Sequence, residues 1–112
     1  LVKKDHGQIP PKYISASLKG LKLKGEWHIP FIKNFSVVPS PESIERFIRA
    51  LDPWPGAWTL IRLGSSEQEK RLKILKAHQE EGKLILDNVQ LEGKSPVSWE
   101  EFQRGYPNAA LE

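Results

Sequence analysis

Basic side chains are the residues of this 112-residue chain with the clearest capacity for chemistry. Arg71 and Lys73 alternate with Leu72 and Ile74. In a β-strand that alternation places the two cations on one face and the two apolar side chains on the other. Lys76 interrupts the pattern. Because surface lysine and arginine side chains bind phosphate groups, the strand indicates a polyanionic partner.

The basic residues are also unevenly distributed along the chain. Residues 1–41 contain seven lysines and two acidic residues, whereas residues 42–112 contain ten basic and twelve acidic residues. A solvated lysine surface explains this charge as well as a phosphate-binding surface does. On the second interpretation, the candidate nucleic-acid-binding residues are Lys3, Lys4, Lys19, Lys22, Lys24, Arg71, Lys73 and Lys76.

Catalytic and metal-binding patterns are not indicated by the sequence. His6, His28 and His78 are far apart and lack metal-ligand spacing, and the chain has no cysteine for disulfides or thiol catalysis. There is no glycine-rich phosphate loop and no nucleophile elbow. We therefore expect no catalytic residue, metal site or cofactor-binding residue in this chain.

The clearest predicted element is a helix over residues 41–51. Ser40 is suited to the N-cap and Pro41 to the first helical position. Glu42 and Glu45 precede basic residues by four positions, which favours ion pairs on the exposed face. Apolar residues recur with helical spacing at Ile44, Phe47, Ile48 and Leu51.

A second short helix is predicted over residues 99–104. Ser98 and Glu101 have the spacing of a capping box, and Val97 and Phe102 that of a hydrophobic staple. Gly105 is predicted to lie just beyond the end of this helix, where a left-handed residue is common.

The segment between the first helix and the next strand is rich in proline and tryptophan. Pro53 ends the helix, and Pro55 with Gly56 predicts a type II turn that begins at Trp54. Trp54 and Trp58 are predicted to pack between helix and sheet.

Strands are predicted over residues 57–63, 71–77 and 83–91, with a turn at residues 80–82. The amino-terminal third is less regular, although residues 10–18 (PPKYISASL) are suited to open a helix. Residues 21–23 and 27–31 alternate like strands around a turn at Gly25, so part of residues 21–38 is expected to pack on the sheet with Trp27 largely buried.

Length and apolar content are those of one domain with one core. No apolar run approaches the about 18 residues of a membrane-spanning segment, so no membrane partner is expected. The chain has no cysteine, which leaves a cytoplasmic location as the default expectation. Because Leu1 is not methionine, we expect a piece of a longer protein, and residues 111–112 resemble a tag remnant.

Three segments in order resemble the carboxy-terminal domain of methionyl-tRNA formyltransferases. They read IERFIRALDPWPGAWT (residues 44–59), RLKILKA (71–77) and VQLEGKSPVSWEEFQRGYP (89–107). Residues 2–9 are similar to the linker of that family, interrupted by His6. The motif residues on which the resemblance depends are Arg49, Trp54, Pro55, Gly56, Trp58, Gly93, Pro96, Trp99 and Phe102.

The resemblance implies a non-catalytic α+β, mostly β domain with an OB-like barrel and two short helices. It implies initiator methionyl-tRNA as partner, for N-formylation in translation initiation. The catalytic residues and 10-formyltetrahydrofolate are then expected on a separate amino-terminal domain. Residues 1–9 correspond to a linker, 10–39 to an inserted basic segment and 40–110 to the domain, so the barrel is expected to be partly rebuilt.

Two alternatives stay open from the sequence. In the first, the chain is an appendage of a sugar-nucleotide or other N-formyltransferase, with lysines that serve solubility. In the second, it is a stand-alone small RNA-binding module. An Asn-x-His motif upstream of Leu1 distinguishes the formyltransferase interpretations from the RNA-binding module.

Overall fold

The computed structural model describes residues 7–21, 23, 25–29, 36–52, 56–63 and 69–111. Within these residues the helices are α1 (Pro11–Leu18), α2 (Pro41–Ala50) and α3 (Trp99–Gly105). The strands are β1 (Trp27–His28), β2 (Ser36–Val37), β3 (Ala57–Arg62), β4 (Glu69–Glu80), β5 (Lys83–Leu91) and β6 (Val97–Ser98). The fold is therefore mixed α/β, and none of these helices is long and apolar enough to cross a membrane.

The main sheet is antiparallel, with the strand order β3-β4-β5-β6. A two-residue turn joins β4 to β5, since Glu80 pairs with Lys83. Glu81 and Gly82 both have positive φ, at 51° and 77°, as the favoured two-residue hairpin turn requires. The predicted strands and the predicted turn at residues 80–82 are confirmed, although β4 extends beyond residues 71–77 at both ends.

One face of this sheet is apolar and forms the base of the core. Side chains on the three long strands alternate between buried and more exposed positions along much of their length. The helices contribute Ile14, Ile44, Phe47 and Phe102 to the same apolar cluster. The buried strand residues are Ala57, Thr59, Ile61, Leu72, Ile74, Leu84, Leu86, Val89 and Leu91.

The alternation changes in the middle of the β4–β5 pair. Ile74 pairs with Val89, whereas Lys76 pairs with Asn88 and Ala77 with Leu86, so the register shifts on either side of Lys76. An irregularity of this kind bends the strand and re-aims its side chains. The prediction that Lys76 interrupts the alternation is confirmed.

Helix α2 begins and packs as its sequence predicts. The Ser40 side chain accepts a hydrogen bond from the Ser43 backbone, and the Ser43 side chain accepts one from the Ser40 backbone. Glu42 and Arg46 approach to 2.6 Å. The four residues of the predicted apolar stripe are buried, namely Ile44, Phe47, Ile48 and Leu51.

Helix α1 is a third helix, so the prediction of two helices was wrong. Its N-cap is Pro10, which makes no side-chain capping bond, and Pro11 is its first residue. A helix without a polar cap has little local signal. Its stability comes from packing, since Ile14, Ala16 and Ser17 are buried.

Helix α3 has the predicted N-cap, but its other end differs from the prediction. The Glu101 backbone N–H donates to Ser98 Oγ at 3.1 Å. Gly105 is the last helical residue and Tyr106 is the C-cap, so the placement of Gly105 beyond the helix was wrong. The Tyr106 ring packs on Phe102 with centroids 5.1 Å apart, and its backbone N–H donates to the Phe102 carbonyl. Both contacts hold the chain in helical geometry through Gly105.

The segment before α2 enters the core through Trp27. The ring lies 4.7 Å from Phe47 and 5.8 Å from Tyr13, centroid to centroid, and the residue is 5% exposed. Its predicted burial is confirmed. The predicted pairing around Gly25 was wrong, because β1 pairs with β2 in a separate two-stranded sheet.

Residues from both ends of the described chain cover the outer edge of β3. Gln8 forms a parallel bridge with Trp58, and Arg62 forms an antiparallel bridge with Ala110. Thr59 Oγ1 donates a buried hydrogen bond of 2.6 Å to the Ile9 carbonyl. Ile9 thereby belongs to the same core as the strands.

We expect Trp27→Ala to lower the free energy of unfolding by about 3–5 kcal/mol, because truncating a buried aromatic ring leaves a cavity. Urea denaturation of the whole chain measures the change. Leu21→Ala is the matched control, since this apolar residue of the same segment is 55% exposed. It should change stability by less than about 0.5 kcal/mol. Equal effects of the two substitutions would contradict a core position for Trp27.

Candidate nucleic-acid interface

Four polar or aromatic side chains lie together on the face of the main sheet opposite the core. Trp58 pairs with Lys73, and Lys73 pairs with Gln90, so the three occupy one row across β3, β4 and β5. Their neighbours in each strand are buried, which places this row on the other face. With Arg71, two positions before Lys73, these residues form the outer-face cluster: Trp58, Arg71, Lys73 and Gln90.

Arg71 is held at both its side chain and its backbone. The guanidinium carbon lies 4.3 Å from the centroid of the Trp58 ring, a cation–π contact. The Arg71 backbone N–H donates to Glu92 Oε1 at 3.0 Å, and the Glu92 N–H donates to the Arg71 carbonyl at 2.9 Å. These two bonds fix the turn after β5 against β4. The cation–π contact holds the guanidinium of Arg71 against the indole of Trp58.

The outer-face cluster lines a cleft of about 310 Å³. The cleft is closed on one side by the end of β5 and the turn that follows it, at Leu91, Glu92 and Gly93. Gln90 Nε2 donates to the Lys94 carbonyl at 2.9 Å, which connects the row to the same turn. The arrangement combines an aromatic surface, two cations and an amide within one concave site.

Gly56 makes room for Lys73. Its φ is +86°, a conformation that glycine adopts at no steric cost and that i+2 of the predicted type II turn requires. A Cβ atom at this position would lie 2.6 Å from Lys73 Cε. The end of the Lys73 side chain therefore lies over this glycine.

The structure brings only part of the predicted binding set together. Arg71 and Lys73 both line the cleft. As predicted, they lie on the face of β4 opposite Leu72 and Ile74. Lys76 lines a different cleft beside α2, together with Glu45 and Asp52. Lys19 is exposed at the C-cap of α1. The other candidates, Lys3, Lys4, Lys22 and Lys24, lie outside the described residues.

The motif residues have more than one role. Trp58 is half-buried on the outer face beneath Arg71, so its predicted position between helix and sheet was wrong. Arg49 pairs with Glu45 at 3.3 Å. Trp99 stacks on the buried Phe102 with centroids 5.5 Å apart. Gly93 and Pro96 are exposed. Trp54 and Pro55 lie outside the described residues.

Trp58 and Gln90 are the members of the cluster that sequence reasoning missed. The strand AWTLIR has apolar residues at both parities, so its pattern does not tell which face is inside. The available signal was the register with β4, since Trp58 lies opposite Lys73 and Thr59 opposite Leu72. Gln90 pairs with Lys73, which places it on the same face of the sheet in β5.

A separate charged group occupies the far part of the β4–β5 hairpin. His78 Nδ1 lies 2.8 Å from Asp87 Oδ2, and Nε2 lies 2.9 Å from Glu80 Oε2. Hydrogen bonds to Asp87 and then to Glu80 raise the pKa of His78 above its ordinary value. The two carboxylates beside the ring nitrogens favour the protonated imidazole, and the contact with Asp87 connects β4 to β5. The described residues contain no group of three His, Cys, Asp or Glu side chains able to hold a metal ion.

The stability of the domain should therefore depend on pH through His78. The pKa of His78 is higher in the folded than in the unfolded state. Its contribution to the free energy of unfolding is therefore complete below the unfolded pKa of about 6.5, and it is lost as pH rises through the folded pKa. We expect His78→Gln to remove this part of the pH dependence of the unfolding free energy, measured by urea denaturation at several pH values. His28→Gln, at an exposed residue of β1, is the control and should retain it. An identical pH profile in wild type and His78→Gln would contradict the assignment.

Comparison with known proteins finds matches for part of the chain. Residues 39–83 match the family model for the carboxy-terminal domain of formyl transferases. Two curated proteins named methionyl-tRNA formyltransferase, from two strains of Cereibacter sphaeroides, are 35% and 34% identical to the chain over 82 residues. Each alignment covers 57% of this chain and 25% of the relative.

The chain thus spans about a quarter of the length of these curated relatives. No solved structure matches it. The predicted resemblance to the carboxy-terminal domain of formyltransferases is confirmed, and the mixed α/β architecture with antiparallel sheets is consistent with it.

Proposed function

We propose, on the basis of this resemblance, that the chain is the non-catalytic carboxy-terminal domain of a methionyl-tRNA formyltransferase. In this role it assists binding of the initiator tRNA while another domain holds 10-formyltetrahydrofolate and transfers the formyl group. An OB-like arrangement of the sheet is part of the same proposal. The similarity of residues 39–83 to the formyl transferase family supports the domain assignment.

The observation that carries the tRNA-binding part is the outer-face cluster. Arg71 and Lys73 lie on the same side of one strand, and both line the cleft with Trp58. Cations that line a shared concave surface next to an aromatic ring are suited to the phosphate backbone and bases of RNA.

The role of the cluster can be separated from overall charge. We expect Arg71→Ala/Lys73→Ala to weaken binding of initiator tRNA to the 112-residue chain and to reduce the slope of log affinity against log salt by up to about two units. Both effects follow from the loss of phosphate contacts that release counterions. Fluorescence anisotropy of labelled tRNA across a salt series measures them.

Lys12→Ala/Arg104→Ala is the matched control, because it removes one lysine and one arginine from α1 and α3. Arg104 lies 3.6 Å from Glu100, and Lys12 lies over the Tyr13 ring. The control should leave the salt slope within experimental error of wild type. Equal effects of both double variants would assign the binding to net charge, and absence of tRNA binding at low salt would favour an appendage of another N-formyltransferase.

A further inference from the structure

We infer that the outer-face cluster takes an unpaired nucleotide, with its base against the Trp58–Arg71 pair and its phosphate against Lys73. This inference rests on the proposed function and names the part of the RNA that the site binds. The segment recognised is thus single-stranded, such as an end or a loop, and the rest of the tRNA contacts other surfaces.

The shape of the site is the first argument. A cleft of about 310 Å³ lies at the lower end of the range of small-molecule pockets, which begins at about 300 Å³. A double helix presents phosphates on its outside and keeps its bases stacked within, so its bases cannot enter such a cleft. A base that is unpaired and turned out of its stack can enter it.

The surface of the cleft is the second argument. The indole of Trp58 is half-buried, and the guanidinium of Arg71 lies 4.3 Å from its ring centroid. Aromatic rings and arginine guanidinium planes are the two surfaces on which proteins stack unpaired bases. The pair places both kinds of surface next to one another in one cleft. Gln90, held through its Nε2 by the Lys94 carbonyl, offers its amide oxygen to the edge of that base.

The charge of the cleft is the third argument. Its lining contains the cations of Arg71 and Lys73 and the carboxylate of Glu92. One oxygen of that carboxylate accepts the Arg71 backbone N–H at 3.0 Å, so Glu92 has a structural task in the turn. The lining carries a single net positive charge, which matches the single negative charge of one phosphodiester. A long basic stripe, which a duplex backbone requires, is a different arrangement.

The test compares a short labelled oligouridylate with an RNA duplex of the same strand length, by fluorescence anisotropy on the whole chain. We expect Trp58→Ala to lower affinity for the single strand by about 5- to 100-fold, as the loss of one stacked base does. Affinity for the duplex should change less than about twofold, because phosphate contacts alone support it. Leu60→Ala is the control, since Leu60 lies on the same face of β3, is half-buried and does not line the cleft. It should bind both probes as wild type does.

Arg71→Lys provides a second variant that keeps the charge and removes the planar surface. We expect it to weaken single-strand binding several-fold while the salt slope stays unchanged, since the number of phosphate contacts is the same. Trp58→Phe, which keeps a ring, should retain most of the preference for the single strand. Near-ultraviolet circular dichroism confirms that each variant is folded.

Two results would overturn the inference: equal losses for single strand and duplex in Trp58→Ala, or single-strand binding unchanged in both Trp58→Ala and Arg71→Lys. Failure of the inference is distinguishable from failure of the proposed function. If tRNA binding depends on Arg71 and Lys73 while these variants leave the single-strand preference intact, only the nucleotide assignment is wrong. If the chain does not bind tRNA, the proposed function itself is wrong.

Discussion

The register between β3, β4 and β5 is the constraint on which the remaining structure depends. Ala57 lies opposite Ile74 and Trp58 opposite Lys73, so one parity of each strand builds the core and the other builds the outer-face cluster. A slip of one residue would exchange the two faces completely, burying Lys73 and exposing Leu72. The apolar side chains of the helices have a surface to pack on only in the observed register. The core and the candidate interface are therefore two results of the same pairing.

The register shift around Lys76 divides the long hairpin into two parts with different chemistry. Before it, Arg71 and Lys73 share a face with Trp58; beyond it, His78 connects β4 to β5 through Asp87. Lys76 itself is directed to the cleft beside α2, where Glu45 and Asp52 are its acidic neighbours. Lys76 has the parity of the buried Leu72 and Ile74 and would face the core in a regular strand, so the irregularity re-aims its side chain away from the core.

Elements with strong local signals could be predicted from the sequence. Helix α2 has a polar cap, a proline at its first position and a full apolar stripe, and β4 and β5 flank a turn that contains glycine. Helix α1 lacks a capping side chain, and its stability depends on the burial of Ile14, which is a tertiary effect. The end of α3 was misplaced for a related reason, since the contact between Tyr106 and Phe102 outweighs the tendency of Gly105 to end a helix.

The candidate site was predictable only in its cations. Arg71 and Lys73 are marked by alternation with buried neighbours, but Trp58 stands in a strand whose two faces are both partly apolar. Its side could be assigned only from its partner across the sheet, which is a non-local property. Gly56 illustrates the same limit, because a turn motif explains its positive φ but does not reveal that Lys73 lies over it.

The two bridges on the edge of β3 have a consequence for the order of events during synthesis. The hairpin of β4 and β5 joins residues that are close in sequence, whereas the bond from Thr59 to Ile9 spans 50 positions and the bridge from Arg62 reaches Ala110. Local pairings form early, and contacts of long sequence separation require more chain to be ordered first. While the chain leaves the ribosome, no other described residue bridges to Arg62 until Ala110 has emerged, although Ile9 is already available to Thr59. The nascent domain thus passes through an interval in which one sheet edge is half covered, the state in which a chain is most open to pairing with a neighbour.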